Sequence, residues 1–316
     1  MGDRSQPRAT DAVINVIGAG PDHRPRGPKR GRESMGALVA VLQTDDSLLR
    51  CQLERLKSHV SLQGEGATPA LAYGFGYYAA GNVLLGKRPS GATSPLSLPE
   101  VVGKVDSEAL LVHARHTPGL PSKDENTQPF RYRRWLFAHA GTIAGWEAIR
   151  PRLLAALPDH LRRQIAGETP AEHAFMLFVK QLKDEGRLED LDLDAATAGR
   201  ALAKTVRQLE AWARDASEQK QSPLVFVATN GRIMAATRRG GPLFYALYEG
   251  IVPCALDELA VDTPESDPRV RPHRRVKAVA FATRLRASNG FIEVPEGSVV
   301  AVNRSLQVTV SSLNGP

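Results

Sequence analysis

The sequence predicts an α+β protein in which β-sheets are covered by helices on their outer faces. Three observations support this prediction. Strand-like patterns dominate from Gly36 to Gly141, helical patterns occupy about 145–216, and strand-like patterns return after 223. Separate runs of strands and helices are typical of sheets packed against helices, whereas regular alternation would indicate βαβ units.

Apolar runs and turn signals define the predicted elements of the first half. These are the strands 36–43, 72–80, 82–88, 108–115 and 134–141, with one helix over 47–61. The strands 36–43 and 108–115 are continuously apolar, which predicts burial on both faces. Asp45 and Ser47 offer side-chain caps for the helix, and Gly81-Asn82 predicts a turn between two strands.

The second half begins with helices and ends with strands. We predict helices over about 145–165, 170–184 and 194–216, a hairpin within 223–239, and strands at 276–283, 298–303 and 307–312. The hairpin prediction rests on Asn230-Gly231, a dipeptide that favours tight turns between strands. No internal repeat is visible.

The first 34 residues differ in composition from the rest of the chain. They are rich in Pro, Gly and Arg and contain seven basic residues against four acidic ones, so we predict a flexible basic extension over 1–34 followed by one domain over 35–316. Met35 is an alternative start of translation to Met1. Nucleic-acid binding by the extension remains an alternative. The basic residues outside it are thinly distributed, which favours an ordinary basic surface.

Composition also limits the class of protein. The chain has 316 residues, a formal charge of +7 and no apolar run near 18 residues, which predicts no membrane span. Cys51 and Cys254 are the only cysteines and lack metal-site spacing, so the sequence predicts a reducing compartment, the cytoplasm, with no metal and no cofactor.

The titratable residues of the sequence have structural explanations. His113 and His116 lie near a strand end without further ligands in sequence, which favours a structural over a metal-binding role. Cys51 lies among polar neighbours on a predicted helix with no base nearby in sequence. Glu168 and Glu172 are explained by the dipole at a helix start.

Several strings resemble class II glutamine amidotransferases, which are N-terminal-nucleophile hydrolases with a four-layer αββα fold. The strings are MGALVAV (35–41), GFGYY (74–78), VHARHTPG (112–119), ENTQPF (125–130), WLFAHAGTIAGWEAIRP (135–151), GETPAEHAFMLF (167–178) and PEGSVVAV (295–302). The resemblance covers roughly 36–310 and is greatest to the stand-alone subgroup without a synthase domain. It implies a four-layer αββα sandwich for this chain.

The resemblance also implies that three positions of the family's glutaminase chemistry are replaced. The family's nucleophile is an N-terminal cysteine whose α-amine acts as the base, and Gly36 occupies that position. In the family string His-Asn-Gly, the Asn side chain and the Gly N–H form the oxyanion hole, whereas this chain has His139-Ala140-Gly141. Pro170 stands where the family has an Asp that binds the substrate's amino group.

Other matching positions keep residues that suit a ligand. Arg115 matches the family arginine that binds the substrate carboxylate, and Thr117 and Gly119 follow it in a loop one residue shorter than usual. A structural pairing of Arg115 with a core acid is an equal alternative. Asn126, Pro129 and Phe130 are expected to shape a loop.

The sequence therefore favours a family member without glutaminase activity that binds a protein partner or a small carboxylate ligand in the old cleft. The candidate binding residues are Arg115, Thr117, Gly119 and Gly141. Two alternatives remain open at this point. One is an active amidohydrolase that uses Ser34, Thr117 or Cys51 as the nucleophile, and the other is nucleic-acid binding through the basic extension.

Overall fold

The computed structural model describes residues 36–216 and 221–315. The predicted extension 1–34, Ser34 and Met35 lie outside these residues. The described strands are β1 Ala37–Gln43, β2 Ala72–Ala79, β3 Asn82–Arg88, β4 Ala109–Arg115, β5 Phe130–Tyr132, β6 Trp135–Gly141, β7 Leu224–Thr229, β8 Met234–Arg238, β9 Phe244–Glu249, β10 Lys277–Ala282, β11 Ile292–Glu293, β12 Ser298–Val302 and β13 Val308–Ser312. The helices are α1 Leu49–Leu56, α2 Leu98–Val102, α3 Trp146–Ala156, α4 Asp159–Arg162, α5 Pro170–Asp184, α6 Ala195–Asp215 and α7 Val270–Arg275.

The described strands form two antiparallel sheets. The first has seven strands in the order β11-β9-β10-β1-β4-β2-β3, and the second has six in the order β13-β12-β8-β7-β6-β5. The strands β1 and β4 lie in the middle of the first sheet, where Leu38 pairs with His113. The strand β6 lies near one edge of the second sheet and pairs with β7, so that Gly141 faces Leu224.

Three apolar layers hold the sheets and helices together. The inter-sheet core contains Leu38, Ala40 and Leu42 of β1 together with Leu136, Ala138 and Ala140 of β6. The opposite face of the first sheet packs against α1 and α2, and the opposite face of the second sheet packs against α3, α5 and α6. These layers confirm the predicted αββα sandwich.

Alternation along the strands explains why each sheet can have two buried faces. Successive side chains of β1 point to opposite sides, so Val39 and Val41 pack under α1 while Leu38 and Ala40 enter the inter-sheet core. The continuous apolar run of β1 follows from this burial on both faces, as the sequence predicted.

Two predicted helices are shorter in the structure. The helix predicted over 145–165 is divided into α3 and α4 because Pro158 follows Leu157, whose backbone is extended with ψ of 135°. A residue before proline avoids the helical region, so the break has a local cause. The helix predicted over 47–61 ends at Leu56, and Val60 then forms a bridge with Leu285.

The two predicted hairpins are present. The turn between β2 and β3 consists of Ala80 and Gly81, both with positive φ, which is the geometry of a type I′ turn. The hairpin of β7 and β8 has a four-residue connection, 230–233, instead of a two-residue turn. There the Asn230 side chain accepts hydrogen bonds from the backbone N–H groups of Arg232 and Ile233.

Candidate functional site

A cleft of about 610 Å³ opens beside the ends of the central strands. Gly36 precedes β1, Arg115 ends β4, Gly141 ends β6 and Pro170 begins α5, and all four line this cleft. The loop after β4 adds two further candidates. The predicted positions that the structure brings together here are Gly36, Arg115, Thr117, Gly119, Gly141 and Pro170.

Position 36, which the resemblance aligns with the family nucleophile, has no space for a side chain in this arrangement. Gly36 is buried, and a Cβ built on it would lie 2.4 Å from Nε2 of His113 and 3.1 Å from the carbonyl oxygen of Ala114. Contacts below 3.0 Å require a neighbour to shift. A residue larger than glycine at position 36 must therefore displace the His113 imidazole.

His113 is held by a glutamine that links two strands. The Gln128 amide nitrogen lies 3.4 Å from His113 Nε2 and donates to the carbonyl of His139 at 3.1 Å, while its oxygen accepts from the His139 N–H at 2.7 Å. Because the amide nitrogen is a donor, Nε2 of His113 is its acceptor. This network fixes the imidazole in the direction of Gly36.

Burial keeps the histidines of the cleft wall neutral. Burial, together with the nearby His139 and His116, lowers the pKa of His113 to about 3. Burial likewise lowers the pKa of His139 to about 4, although its ring donates to the Pro223 carbonyl at 2.9 Å. Near neutral pH neither ring carries a positive charge toward the cleft.

These two histidines predict a pH-dependent stability. An unfolded histidine titrates near 6.5, so the unfolded chain takes up protons below that pH while the buried rings do not. The folded state is therefore fully favoured above pH 6.5 and loses stability as the pH falls toward the folded pKa values. For each buried ring, the free energy of unfolding should fall by about 1.4 kcal/mol between pH 7.5 and 5.5.

Urea unfolding at several pH values checks this expectation. The wild-type free energy of unfolding should fall between pH 7.5 and 5.5, where carboxylates titrate little. The variant His113→Gln removes one of the titrating rings, so its loss over the same interval should be smaller by about 1.4 kcal/mol. Equal losses in the variant and the wild type would contradict the neutral buried state of His113.

The turn at the end of β6 separates the two predicted oxyanion positions. The side chain of Ala140 is fully buried in the inter-sheet core and does not line the cleft. Gly141 does line it, and a Cβ at this position would lie 1.8 Å from the Pro223 carbonyl oxygen. Glycine is therefore required at 141 by close backbone contact.

Arg115 supplies positive charge to the cleft. Its Nη1 donates to the Thr117 carbonyl at 3.0 Å, and its buried Nε has no hydrogen-bond partner among the described residues. Within 36–216 and 221–315 no carboxylate lies within 4.0 Å of this guanidinium, so the alternative pairing with a core acid is not found there. Burial lowers the pKa of Arg115, yet arginine stays protonated in proteins.

The start of α5 forms the opposite wall. The Thr169 side chain caps the helix by accepting from the Glu172 N–H at 3.1 Å, and Pro170 is the first helical residue. The Glu172 carboxylate accepts from the backbone N–H groups of Ala166 and Gly167 at 3.0 and 2.8 Å. Glu172 thus lies in the first turn, as the dipole argument predicted, and it orders the preceding loop.

Several charged and aromatic residues of the cleft had no predicted role there. They are Trp146, Glu147 and Arg150 of α3, and Glu168 before α5, for which the sequence indicated only a helix-dipole role. Asn126 shapes this region as expected, because its side chain accepts from the Glu168 N–H and donates to the Pro121 carbonyl. Position near the start of the helix after β6 was the available signal for Glu147 and Arg150.

The structure separates the candidate replacement nucleophiles. Thr117 lines the cleft, whereas Cys51 on α1 does not, and Ser34 lies outside the described residues. Cys51 is also buried and packs within a small apolar cluster. None of the helices within 36–216 and 221–315 has both the length and the apolar character needed to cross a bilayer.

Comparison with known proteins identifies the family of this chain. A family model described as glutamine amidotransferases class-II matches residues 54–310, a range that begins after Gly36. A glutamine aminotransferase class-II domain protein from Silicibacter pomeroyi shares the fold with a TM-score of 0.53 and 19% identity, covering 89% of this chain and all of that one.

A predicted glutamine amidotransferase from Pseudomonas aeruginosa aligns more loosely, with a TM-score of 0.47 and 16% identity over 88% of this chain and 100% of that chain. Comparison with curated protein sequences gave no significant match. The αββα sandwich is thus of the N-terminal-nucleophile hydrolase type, and the chain belongs to the class II glutamine amidotransferase family.

Proposed function

We propose that this chain is a member of the family without glutaminase activity and that its cleft binds a small carboxylate-bearing molecule. The observation that carries the proposal is that residue 36 is a glycine with no space for a side chain. Gly36 offers no thiol or hydroxyl to attack an amide, and the direction of its missing side chain is filled by His113. Covalent catalysis needs a nucleophile within reach of the reacting carbon.

The chemistry of the cleft supports ligand binding. The cleft of about 610 Å³ is in the range of small-molecule sites. Arg115 lines the cleft with a guanidinium that has no carboxylate partner among the described residues, and guanidinium groups bind carboxylates in a two-point arrangement. The additional charges of Glu147, Arg150 and Glu168 suit a ligand that carries both polar and ionic groups.

Replacement of Arg115 by methionine tests the role of the guanidinium. Calorimetric titration with L-glutamine and L-glutamate is expected to show binding to the wild type, and glutaramide, which lacks a carboxylate, should bind at least tenfold more weakly. Charge-assisted hydrogen bonds contribute about 1.5–3 kcal/mol, so Arg115→Met should weaken binding of the carboxylates by roughly 10- to 100-fold.

A surface arginine provides the matched control. Arg304 is exposed and pairs with Asp192 away from the cleft lining, so Arg304→Met should bind the same compounds as the wild type. Equal affinity of Arg115→Met and the wild type would contradict a carboxylate site at Arg115. An absence of binding by both carboxylates at millimolar concentration would contradict the binding part of the proposal and favour a protein partner instead.

A further inference from the structure

A second cluster of reactive side chains lies outside the cleft. Cys51 of α1, Cys254 and Asp257 of the segment after β9, and His273 of α7 place one potential ligand atom each within 4.8 Å of one another. Both cysteines and the histidine are buried, and Asp257 is half-buried. We call these four residues the Cys51 cluster.

The distances in the Cys51 cluster match those between ligands of one metal ion. Ligand atoms at the corners of a tetrahedron around zinc are separated by about 3.3–3.8 Å for bonds of about 2.0–2.3 Å. The Cys51 sulfur lies 3.3 Å from Oδ2 of Asp257 and 3.7 Å from Nε2 of His273. Among the separations between Cys51, Asp257 and His273, the one of 2.8 Å between His273 Nε2 and Asp257 Oδ2 must lengthen, and Asp257 is only half-buried. The Cys254 sulfur lies within 4.8 Å of the other three ligand atoms.

The orientation of His273 points to a cation between its ring and the acid. Its Nδ1 lies 2.8 Å from the carbonyl oxygen of Arg269, so Nδ1 carries a proton and donates it. In the neutral ring Nε2 is then an acceptor, and it faces the Asp257 carboxylate, which is also an acceptor. Two facing acceptors require a proton or a metal ion between them.

This arrangement differs from a catalytic triad and resembles a metal site. In a Cys-His-Asp relay the thiol and the carboxylate bind opposite nitrogens of the ring. Here Cys51 and Asp257 both approach Nε2, while Nδ1 is bound by a backbone carbonyl. Metal-binding histidines commonly donate their second nitrogen in this way, which fixes the ring and its tautomer.

The surroundings suit the charge of a bound ion. Two thiolates and one carboxylate around Zn²⁺ leave one net negative charge. The Arg269 side chain donates to the Asp257 backbone carbonyl, and Arg55 donates to the carbonyl of Gly250 beside the cluster.

The location of the cluster suggests what an ion would do there. Between β9 and β10 the described chain forms only α7 and an isolated bridge from Cys254 to Leu259. A small apolar cluster joins this segment to Leu48 and Cys51. Four protein ligands leave no open coordination position, which is typical of structural zinc and not of catalytic zinc.

We propose that Cys51, Cys254, Asp257 and His273 form a structural Zn²⁺ site that fastens the segment between β9 and β10 to α1. The cysteines belong to chain segments far apart in sequence, so the site forms only in the folded domain. Binding of Zn²⁺ by thiols displaces their protons to solvent and forms two Zn–S bonds, without any change in oxidation state.

Metal analysis of the full-length chain tests the proposal. After incubation with Zn²⁺ and dialysis, the wild type is expected to retain one Zn²⁺ per chain. Replacing Zn²⁺ by Co²⁺ should produce the thiolate-to-cobalt charge-transfer absorption of a tetrahedral site, a readout that needs no variant. A chelator should lower the unfolding temperature of the wild type and restore the reactivity of both thiols.

Variants assign the ligands. Cys254→Ser and His273→Gln should each weaken Zn²⁺ binding at least 100-fold and remove the cobalt absorption, whereas His160→Gln, at an exposed histidine, should leave both unchanged. A chain that retains no Zn²⁺ and gives no cobalt absorption would overturn the proposal. A disulfide between Cys51 and Cys254 in protein purified without reductant, seen as a mass two hydrogens lower, would overturn it as well.

Discussion

Replacing Gly36 with cysteine is expected to destabilise the domain and not to create an active enzyme. The new Cβ would lie 2.4 Å from Nε2 of His113, and the sulfur needs further space beyond it. Forcing additional atoms into a packed site typically costs about 1–3 kcal/mol. The free energy of unfolding of Gly36→Cys, measured in urea, should fall by about that amount relative to the wild type.

A double-mutant cycle separates this clash from a general effect of mutation. His113→Ala removes the imidazole and should itself be destabilising, because it empties a buried site and leaves Gln128 without that contact. In the His113→Ala background, however, Gly36→Cys should cost at least about 1 kcal/mol less than it does in the wild type. Costs that simply add would show that His113 is not the obstacle at position 36.

Positions 36 and 140 both face the layer between the first and second sheets. Along β1 and β4 the side chains of Leu38 and His113 belong to neighbouring strands, and alternation directs position 36 toward the face that carries Leu38. Ala140 of β6 faces this inter-sheet layer from the other side. The positions at which the resemblance places a thiol and an amide are thus occupied by residues that contribute almost no side chain.

Much of the fold could be predicted from local sequence patterns. The continuous apolar run of β1 indicated a strand buried on both faces, and the turn between β2 and β3 formed at Ala80-Gly81, one residue before the predicted Gly81-Asn82. The strand β9, Phe244–Glu249, was missed because its burial alternates irregularly and Tyr248 and Glu249 are partly or fully exposed. A strand with that pattern is recognisable only once its pairing with β10 is known.

The cleft could be predicted only in part. Motif matching located Gly36, Arg115, Gly141 and Pro170, and the structure brings them into one cavity. It did not show that the Ala140 side chain faces away from that cavity, although period-2 alternation after Leu136 and Ala138 could have indicated this. The space taken by His113 next to Gly36 depends on the pairing of β1 with β4 and has no local signal.

The Cys51 cluster shows the limit of spacing rules most clearly. Cys51 is separated by 206 residues from Asp257 and by 222 from His273. Sequence patterns for metal sites depend on ligands that lie close together in the chain. The ligands come from α1, from α7 and from the connection between β9 and α7. They meet only through packing of the whole first sheet.

The second large effect concerns the family's reaction itself. Release of ammonia from glutamine requires a nucleophile to form the thioester and donors to stabilise the oxyanion. Loss of a nucleophile typically lowers turnover by about 10⁶-fold, and loss of one oxyanion donor by about 10²- to 10³-fold. With Gly36 and Ala140 at the positions that the resemblance assigns to the nucleophile and to one oxyanion donor, the chain should hydrolyse glutamine no faster than buffer does.

Two variants distinguish a trace contaminant from residual activity of this cleft. Of the alternative nucleophiles named from the sequence, Thr117 is the one that the structure both describes and places in the cleft. The variant Thr117→Val therefore tests its hydroxyl as a nucleophile. Arg115→Met tests whether any activity depends on binding of the substrate carboxylate by the Arg115 guanidinium. Ammonia release that is identical in the wild type and both variants would be assigned to a contaminant and would agree with the proposal.

Ammonia production from glutamine by the purified full-length chain, measured together with labelling by an electrophilic glutamine analogue, tests the central claim most directly. We expect a rate equal to that of buffer and an intact mass unchanged by the analogue. Ammonia release that Thr117→Val or Arg115→Met abolishes, accompanied by a single analogue adduct on the wild type, would contradict it.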